Sequence, residues 1–321
     1  MKSENVTLNT ILKKYGLSDP YQLSRKDMGE VYIVHKNNDK LILKIQRDMS
    51  SYEREVGALK LLNSKMFQVP ILLECGKVAE QNFVGYFLEE FWNGDVLNRE
   101  YANCSMEKKK ELLYESGVIL GEMNTLFTNQ ELKHCGLWKY AYEGIDDYES
   151  YRWINLYMSR LANWLEIIKS DGDEMTSFFR ESSNIMKVAC EKIECDGKRG
   201  LIHRDFGFRN IMVENNHVKG IIDFEYAVPG DIEFDLSKLI FNDLDFWEEG
   251  TLRDTFFDGW EKSTGVKIEW NRLWLYLAIQ GMGAVQWVDR QIDPQVRLEN
   301  KNYREKGAHI MSEACTQLKK I

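Results

Sequence analysis

The stretch LIHRDFGFRNIMVENNHVKGIIDFEYAVPGDIEFDL, residues 201–236, decides how the rest of the 321-residue chain is read. LIH, IMV and VKGII are short β-type runs, the last two joined by the polar ENNH turn, yet the sequence on either side has helical period. A hairpin set inside a helical region needs a purpose, and its polar residues supply one. His203, Asp205 and Asn210 fall within eight residues, and Asp223 follows Asn210 by thirteen, at the far end of the hairpin. A lone H-x-D is common in loops, and an Asp ending a strand often caps a turn. Asp205, Asn210 and Asp223 together at these spacings in one β insertion favour chemistry.

Outward from this stretch, apolar period predicts helices over roughly 106–127, 149–169, 173–193, 246–262, 268–290 and 299–319, with Ser105 and Asp173 as N-caps. The first ninety residues read instead as strands. EVYIV (30–34) and LILKI (41–45) flank the polar HKNNDK connection as a hairpin, and ILLECG and FVGYFLEEF give two more strands. Between the pairs, SYEREVGALKLLNSKM carries Val56, Leu59, Leu62 and Met66 at helical spacing, with Pro70 beyond its end. The expected fold class is therefore α+β in two lobes: a small β-rich lobe over 1–92 and a larger, mainly helical lobe over 93–321. The β insertion faces the junction between them, where ligands usually bind.

Composition narrows the function classes. With 44% hydrophobic and 29% charged residues, the chain is neither disordered nor fibrous, and no window approaches the apolar length of a membrane span. Without a signal-peptide core at its start, a cytoplasmic location is expected. Six scattered cysteines include no C-x-x-C pair, so reduced thiols are expected rather than a zinc or redox site. The net charge of −9 argues against nucleic-acid or anionic-membrane partners. That charge is local: Asp223 to Glu261 holds twelve acids against two bases, Lys238 and Arg253, and the rest of the chain is close to neutral.

H-R-D-x-x-x-x-N followed by D-F fits the catalytic and metal-binding loops of kinase architecture. Phosphoryl transfer needs positioning and charge neutralisation, so Asp205 is the candidate to orient or deprotonate an accepting hydroxyl. Asn210 and Asp223 are the candidate Mg2+ ligands, hard oxygen donors for a metal that keeps several waters. Such a site also needs a cation on the phosphates of ATP, with GTP an open alternative. Lys44, a lysine among strand apolars, is that candidate; the other reading is a snorkelling edge-strand lysine. Its expected partner is Glu55, which borders the buried stripe of its helix, whereas Glu53 turns to solvent. Gly29 in the turn RKDMGEVY would lie over the phosphates, although an ordinary hairpin turn explains it equally. Main-chain groups around Glu89, Glu90 and Phe91 would meet adenine, and Val31 and Ile42 would give apolar contact.

Through LILKI, YEREVGALKLL, QVPILLECG, YFLEEFWNG, LIHRDFGFRNIMV, GIIDFEYA and GDIEFDLSKL, in order, the chain resembles the aminoglycoside phosphotransferase and choline kinase group, small-molecule kinases with a protein-kinase-like fold. From Asp223 the chain reaches PGDIEFDL within about ten residues, too few for the activation segment of a protein kinase. The resemblance implies the roles given above for Asp205, Asn210, Asp223, Lys44 and Glu55, with His203 structural in the loop and Asp235 as a brace behind it. Asp231 is implied to be structural, an N-cap for the helix of IEFDLSKLI. Two departures stand out: Arg204 replaces a small residue, with an acid such as Asp235 its expected partner, and Glu225 replaces the glycine of D-F-G and is expected to face solvent.

The acceptor is expected beside Asp205 in the helical lobe. Acids interleaved with aromatics in 223–261 suit a cationic, hydroxyl-bearing ligand, with Asp243, Asp245, Trp247, Glu248 and Glu249 the first candidates. Helices also alternate buried aromatics with solvated acids, which is the competing reading. The leading expectation is a kinase of an aminoglycoside-like antibiotic, with a metabolic choline, ethanolamine or sugar kinase as alternative and an idle nucleotide-binding regulator behind both.

Overall fold

The computed structural model describes the chain apart from residues 1–3, 27, 28, 81, 142–145, 169–172, 194–196 and 245–249. Helix α1 (Glu4–Tyr15) precedes a five-stranded antiparallel sheet of β1 (Ser18–Lys26), β2 (Gly29–Lys36), β3 (Asp39–Gln46), β4 (Leu72–Glu80) and β5 (Phe83–Glu90), ordered β1-β2-β3-β5-β4, with α2 (Met49–Asn63) inserted after β3. Neither α1 nor β1 is anticipated from the sequence. Helix α1 forms because Ile11, with Leu8, Leu12 and Tyr15, covers the sheet face that carries Leu43, Ile45, Tyr86 and Leu88. The opposite face takes α2, started by Asp48, whose side chain accepts from Ser51 N.

Beyond β5 come the short β6 (Asp95–Val96), α3 (Leu97–Tyr101), α4 (Met106–Thr125), α5 (Asn129–Cys135), α6 (Asn155–Met158), α7 (Arg160–Ile167) and α8 (Asp173–Lys192). The predicted helix over 149–169 is broken. Its first part is held irregular because the Tyr151 carbonyl accepts from Arg199 at 2.8 Å and the Tyr151 hydroxyl donates to the Pro229 carbonyl at 2.6 Å, which commits that backbone outside a helical ladder. Ser105 caps α4 as expected, accepting from Lys108 N.

Strands β7 (Arg199–Ile202), β8 (Ile211–Glu214), β9 (His217–Ile221) and β10 (Val228–Asp231) form the insertion, before α9 (Phe234–Asp243), α10 (Gly250–Thr264), α11 (Trp270–Asp289), α12 (Pro294–Glu299) and α13 (Lys301–Leu318). Asn215 and Asn216 both take positive φ, 52° and 66°, the geometry a tight β8–β9 hairpin requires. Strand β6, just past the connector, pairs with β8, tying the end of the sheet region to the hairpin. The main apolar core is continuous from Val56 and Leu59 of α2, through Phe87, to Leu275 and Met282 of α11. No described helix is long and apolar enough to cross a membrane.

Candidate active site

Register in the five-stranded sheet sets one wall of the site. Val31 and Phe87 flank Lys44 across β2 and β5, and Ile42 lies opposite Glu89, so these residues share one face. Lys44 is buried, and its ammonium lies 2.5 Å from Glu55, 3.5 Å from Asp223 and 3.6 Å from Glu89. Burial opposes the charge on Lys44, but the three carboxylates outweigh it and hold its pKa well above the ordinary value. Burial pushes Glu55 up to about 8, with Lys44 opposing, and pushes Glu89 up as well. Three acids thus converge on one cation.

The connector expectation changes at Glu89. The Glu89 backbone sits inside the ladders with β3 and β4, and its buried side chain turns to Lys44. The pattern carried a signal, since Glu89 falls on the same face as Ile42. Glu90 accepts the Trp92 indole N–H at 3.1 Å, and the ring of Phe91 lies under Lys40. Gly29 opens β2, where a Cβ would stand 2.5 Å from the Ile45 carbonyl oxygen; close strand approach explains the glycine without any ligand. Gln46, overlooked in the sequence, donates to Glu55 at 3.0 Å, and lies two residues from Lys44 on the same face.

The loop after β7 supplies the other wall. His203 is fully buried; Nε2 donates to the Ile222 carbonyl at 2.9 Å and Nδ1 accepts from Asp205 N at 3.2 Å. Asn210 gives its Nδ2 to the Asp205 carbonyl at 2.9 Å and to its carboxylate at 3.2 Å, which leaves the amide oxygen as the atom that could hold a metal. Ile222 N donates to the Asn210 carbonyl at 3.0 Å, setting Asp223 beside Asn210. One amide oxygen and one carboxylate, both hard donors, fit Mg2+, which takes few protein ligands and fills its shell with water and phosphate. Among the described residues no cluster of three metal-ligating side chains occurs, in keeping with so sparse a donor set. Arg204 and Asp223 both hold positive φ, 67° and 69°, so main-chain strain marks both ends of the site.

Several acids turn out to hold backbone. Asp235, fully buried on α9, accepts Arg204 N and His203 N at 2.7 Å each; its expected pairing with the Arg204 guanidinium is absent, because both oxygens are spent on main chain. The guanidinium lies over the Trp153 ring, 5.3 Å from its centroid. Asp231 does not cap α9 directly. It ends β10, accepting from Glu233 N at 3.0 Å and from the Tyr276 hydroxyl at 2.7 Å. Glu225 is half-buried rather than turned to solvent, and its carbonyl accepts Arg54 Nε at 2.6 Å. Asp243, expected to meet the acceptor, accepts from Phe208 N at 3.0 Å and so props the catalytic loop. Asp245, Trp247, Glu248 and Glu249 lie outside the described residues.

Cations overlooked in the sequence surround Asp205. Arg209 places one guanidinium nitrogen 2.6 Å from each carboxylate oxygen, and Lys238 of α9 lies 4.0 Å away. Lys238 left a signal as one of only two bases in an acidic segment.

A thermostable mutant of the aminoglycoside phosphotransferase APH(4)-Ia, solved as a ternary complex with ADP and hygromycin B, aligns over 96% of this chain and 97% of its own at 14% identity and TM-score 0.67. A microcompartment-associated aminopropanol kinase aligns over 98% of both chains at 13% identity and TM-score 0.69. At such identities the likeness establishes the fold. An N-acetylmuramate/N-acetylglucosamine kinase of Neisseria meningitidis serogroup B is 37% identical over 62 residues, which span 19% of this chain and 18% of that kinase. The model of the phosphotransferase enzyme family, APH, matches residues 28–274, from the start of β2 into α11 and across every site residue described above, and the chain belongs to that family of phosphotransferases.

Proposed function

We propose that the chain is a nucleotide- and Mg2+-dependent kinase that phosphorylates a hydroxyl of a small metabolic acceptor of sugar type. The convergence of Glu55, Asp223 and Glu89 on Lys44, with Asp205 and Asn210 across the cleft, is the observation that carries it. Lys44, steadied by Glu55, meets the phosphates of ATP or GTP in the lobe of residues 1–92, against Val31 and Ile42. Asp205 in the lobe of residues 93–321 orients the accepting hydroxyl and takes its proton. Bound through Asn210 and Asp223, Mg2+ would neutralise charge on the transferring phosphates.

For the acceptor, two observations favour a sugar over a polycationic antibiotic. The one described acid of the 243–249 cluster, Asp243, is committed to Phe208 N, and the described charged groups within 4.0 Å of Asp205 are the cations Arg209 and Lys238. The short match to an N-acetylmuramate/N-acetylglucosamine kinase points the same way. An aminoglycoside acceptor is the second reading, favoured by the structural likeness to APH(4)-Ia. Nucleotide consumption with Mg2+ should be screened against N-acetylglucosamine, N-acetylmuramate, choline, ethanolamine, hygromycin B and kanamycin. Turnover of a sugar supports the proposal; turnover of only an antibiotic replaces it with the second reading, and nucleotide binding without transfer to any acceptor points to an idle regulator.

A further inference from the structure

Nucleotide chemistry as assigned above uses Lys44 and leaves a second group of cations unexplained, on the far side of Asp205. Three sequence-distant segments supply them. Arg204 and Arg209 come from the loop after β7, Lys238 from the middle of α9, and Arg160 from the start of α7. Arg204 is the most telling. Its φ of 67° is a conformation that glycine adopts freely and a side-chain-bearing residue resists, so the chain keeps a guanidinium where the backbone favours none. That guanidinium salt-bridges no acid among the described residues. It lies over the Trp153 ring, close enough to Tyr157 to favour its ionised form, and its Nε is buried with no hydrogen-bond partner among the described residues.

Among the described residues these cations share one carboxylate within 4.0 Å, Asp205. Lys238 has only a fifth of its side chain exposed, and its nearest carboxylate is Asp205 at 4.0 Å, already held at 2.6 Å by Arg209. Burial, Arg209 and Arg204 all disfavour its ammonium, against Asp205 and Asp235. Arg160 lies close enough to Arg204 for the two to repel. The other carboxylates at hand, Asp235 and Asp243, accept main-chain N–H groups. Arg209 and Lys238 lie at the Asp205 carboxylate, Arg204 is near enough to repel Lys238, and Arg160 to repel Arg204, so four cations follow one another beside an aromatic floor, an arrangement suited to an oxyanion that joins them.

We propose that Arg204, Arg160 and Lys238 form an acceptor subsite for a carboxylate or phosphate group, so that the preferred substrate is an acidic sugar or polyol whose hydroxyl is delivered to Asp205. This rests on the kinase reading above and narrows its acceptor. Trp153 and Tyr157 would fix the plane of the Arg204 guanidinium, and Arg209, on neutralising Asp205 in the free enzyme, would release it to the hydroxyl as the anion enters.

Two matched pairs of probes test it: N-acetylmuramate against N-acetylglucosamine, and glucose 6-phosphate against glucose. The first pair differs by a lactyl carboxylate, the second by a phosphate, so the two arms separate the sources of the anion. Purified full-length protein with Mg2+ and ATP should favour the charged member of at least one pair by roughly tenfold or more in kcat/KM. Arg204→Gln and Lys238→Gln should each reduce that ratio at least about fivefold, mainly through acceptor KM, and Arg204→Lys should restore part of it. Because both members are assayed on one preparation, loss of folded protein cancels in the ratio. Preference for the neutral member, preference for kanamycin over every sugar, or a ratio unmoved by the substitutions overturns the subsite; the last result would assign these cations to the transferring phosphoryl group. If no acceptor is turned over, the kinase reading itself fails, which differential binding of the pairs in the presence of a non-hydrolysable nucleotide would separate from failure of the subsite.

Discussion

Asp235 and Arg204 stand side by side without their charges meeting: the carboxylate of one holds the main-chain N–H of the other at 2.7 Å, while the guanidinium turns away to Trp153. The acid therefore fixes where the arginine begins and leaves free what it ends on. Asp235→Ala removes a carboxylate that also accepts His203 N, stranding two buried N–H groups. We expect a loss of roughly 3 kcal/mol in chemical denaturation, with Asp235→Asn costing less because its amide oxygen still accepts one bond.

Asp205→Asn should lower phosphate transfer by roughly 10²–10⁴-fold while leaving the nucleotide dissociation constant within about twofold of wild type. Stopped-time transfer assays and nucleotide titration on the same protein check both halves. Turnover near the wild-type rate would remove Asp205 from the chemistry.

Stability should fall as pH rises toward 8. Glu233 is pushed up to about 8 by burial and by Asp231, against Arg272. Its ordinary value is 4.5, so between the two values the folded state holds a proton that the unfolded chain has released. The stabilisation is thus fully present below pH 4.5 and gone once pH has passed about 8. Buried Glu233 Oε2, without a hydrogen-bond partner, is consistent with a carboxyl that keeps its proton. Melting temperatures across this range should decline for wild type and decline less for Glu233→Gln.

At the crossing of α11 and α13, a Cβ on Gly281 would stand 2.5 Å from the Gly307 carbonyl oxygen. Gly281→Ala should therefore cost about 1–3 kcal/mol through backbone displacement, although alanine is the better helix former. Gly283→Ala, one half-turn away, meets only the Trp164 ring at 3.4 Å and should cost much less. Thermal melts of the two variants compare them directly.

What could be read in advance followed from periodic or motif signals. The β2–β3 hairpin, α2, the β8–β9 hairpin and the Lys44–Glu55 pairing each rest on local alternation or on residues whose types are rare in their setting. Helix α1 escaped notice because its stability comes from the sheet it covers, and the break before α6 because it depends on Arg199, some fifty residues away, claiming the Tyr151 carbonyl. The acids were visible but their direction was not. Asp243 looks like a solvent or ligand group in one dimension and becomes a main-chain acceptor only when α9 packs behind the catalytic loop, whereas the family resemblance already implied the bracing role of Asp235. The cations around Asp205 are invisible for the same reason, since three separate segments supply them.

Arg54 on α2 has a consequence for inhibition. Its guanidinium donates to the Glu225 and Tyr140 carbonyls as well as to Ser51 Oγ, so the helix that bears Glu55 is riveted to the segment that bears Asp223. Charge-assisted bonds of this kind contribute about 1.5–3 kcal/mol each. Swinging α2 outward would break both carbonyl bonds, which holds the displaced state to on the order of 1% or less of the population. Compounds that gain selectivity among kinases by occupying the space behind a displaced helix would forfeit at least about a hundredfold in affinity here before making a single contact, and competitive ligands are better sought in the acceptor half of the cleft.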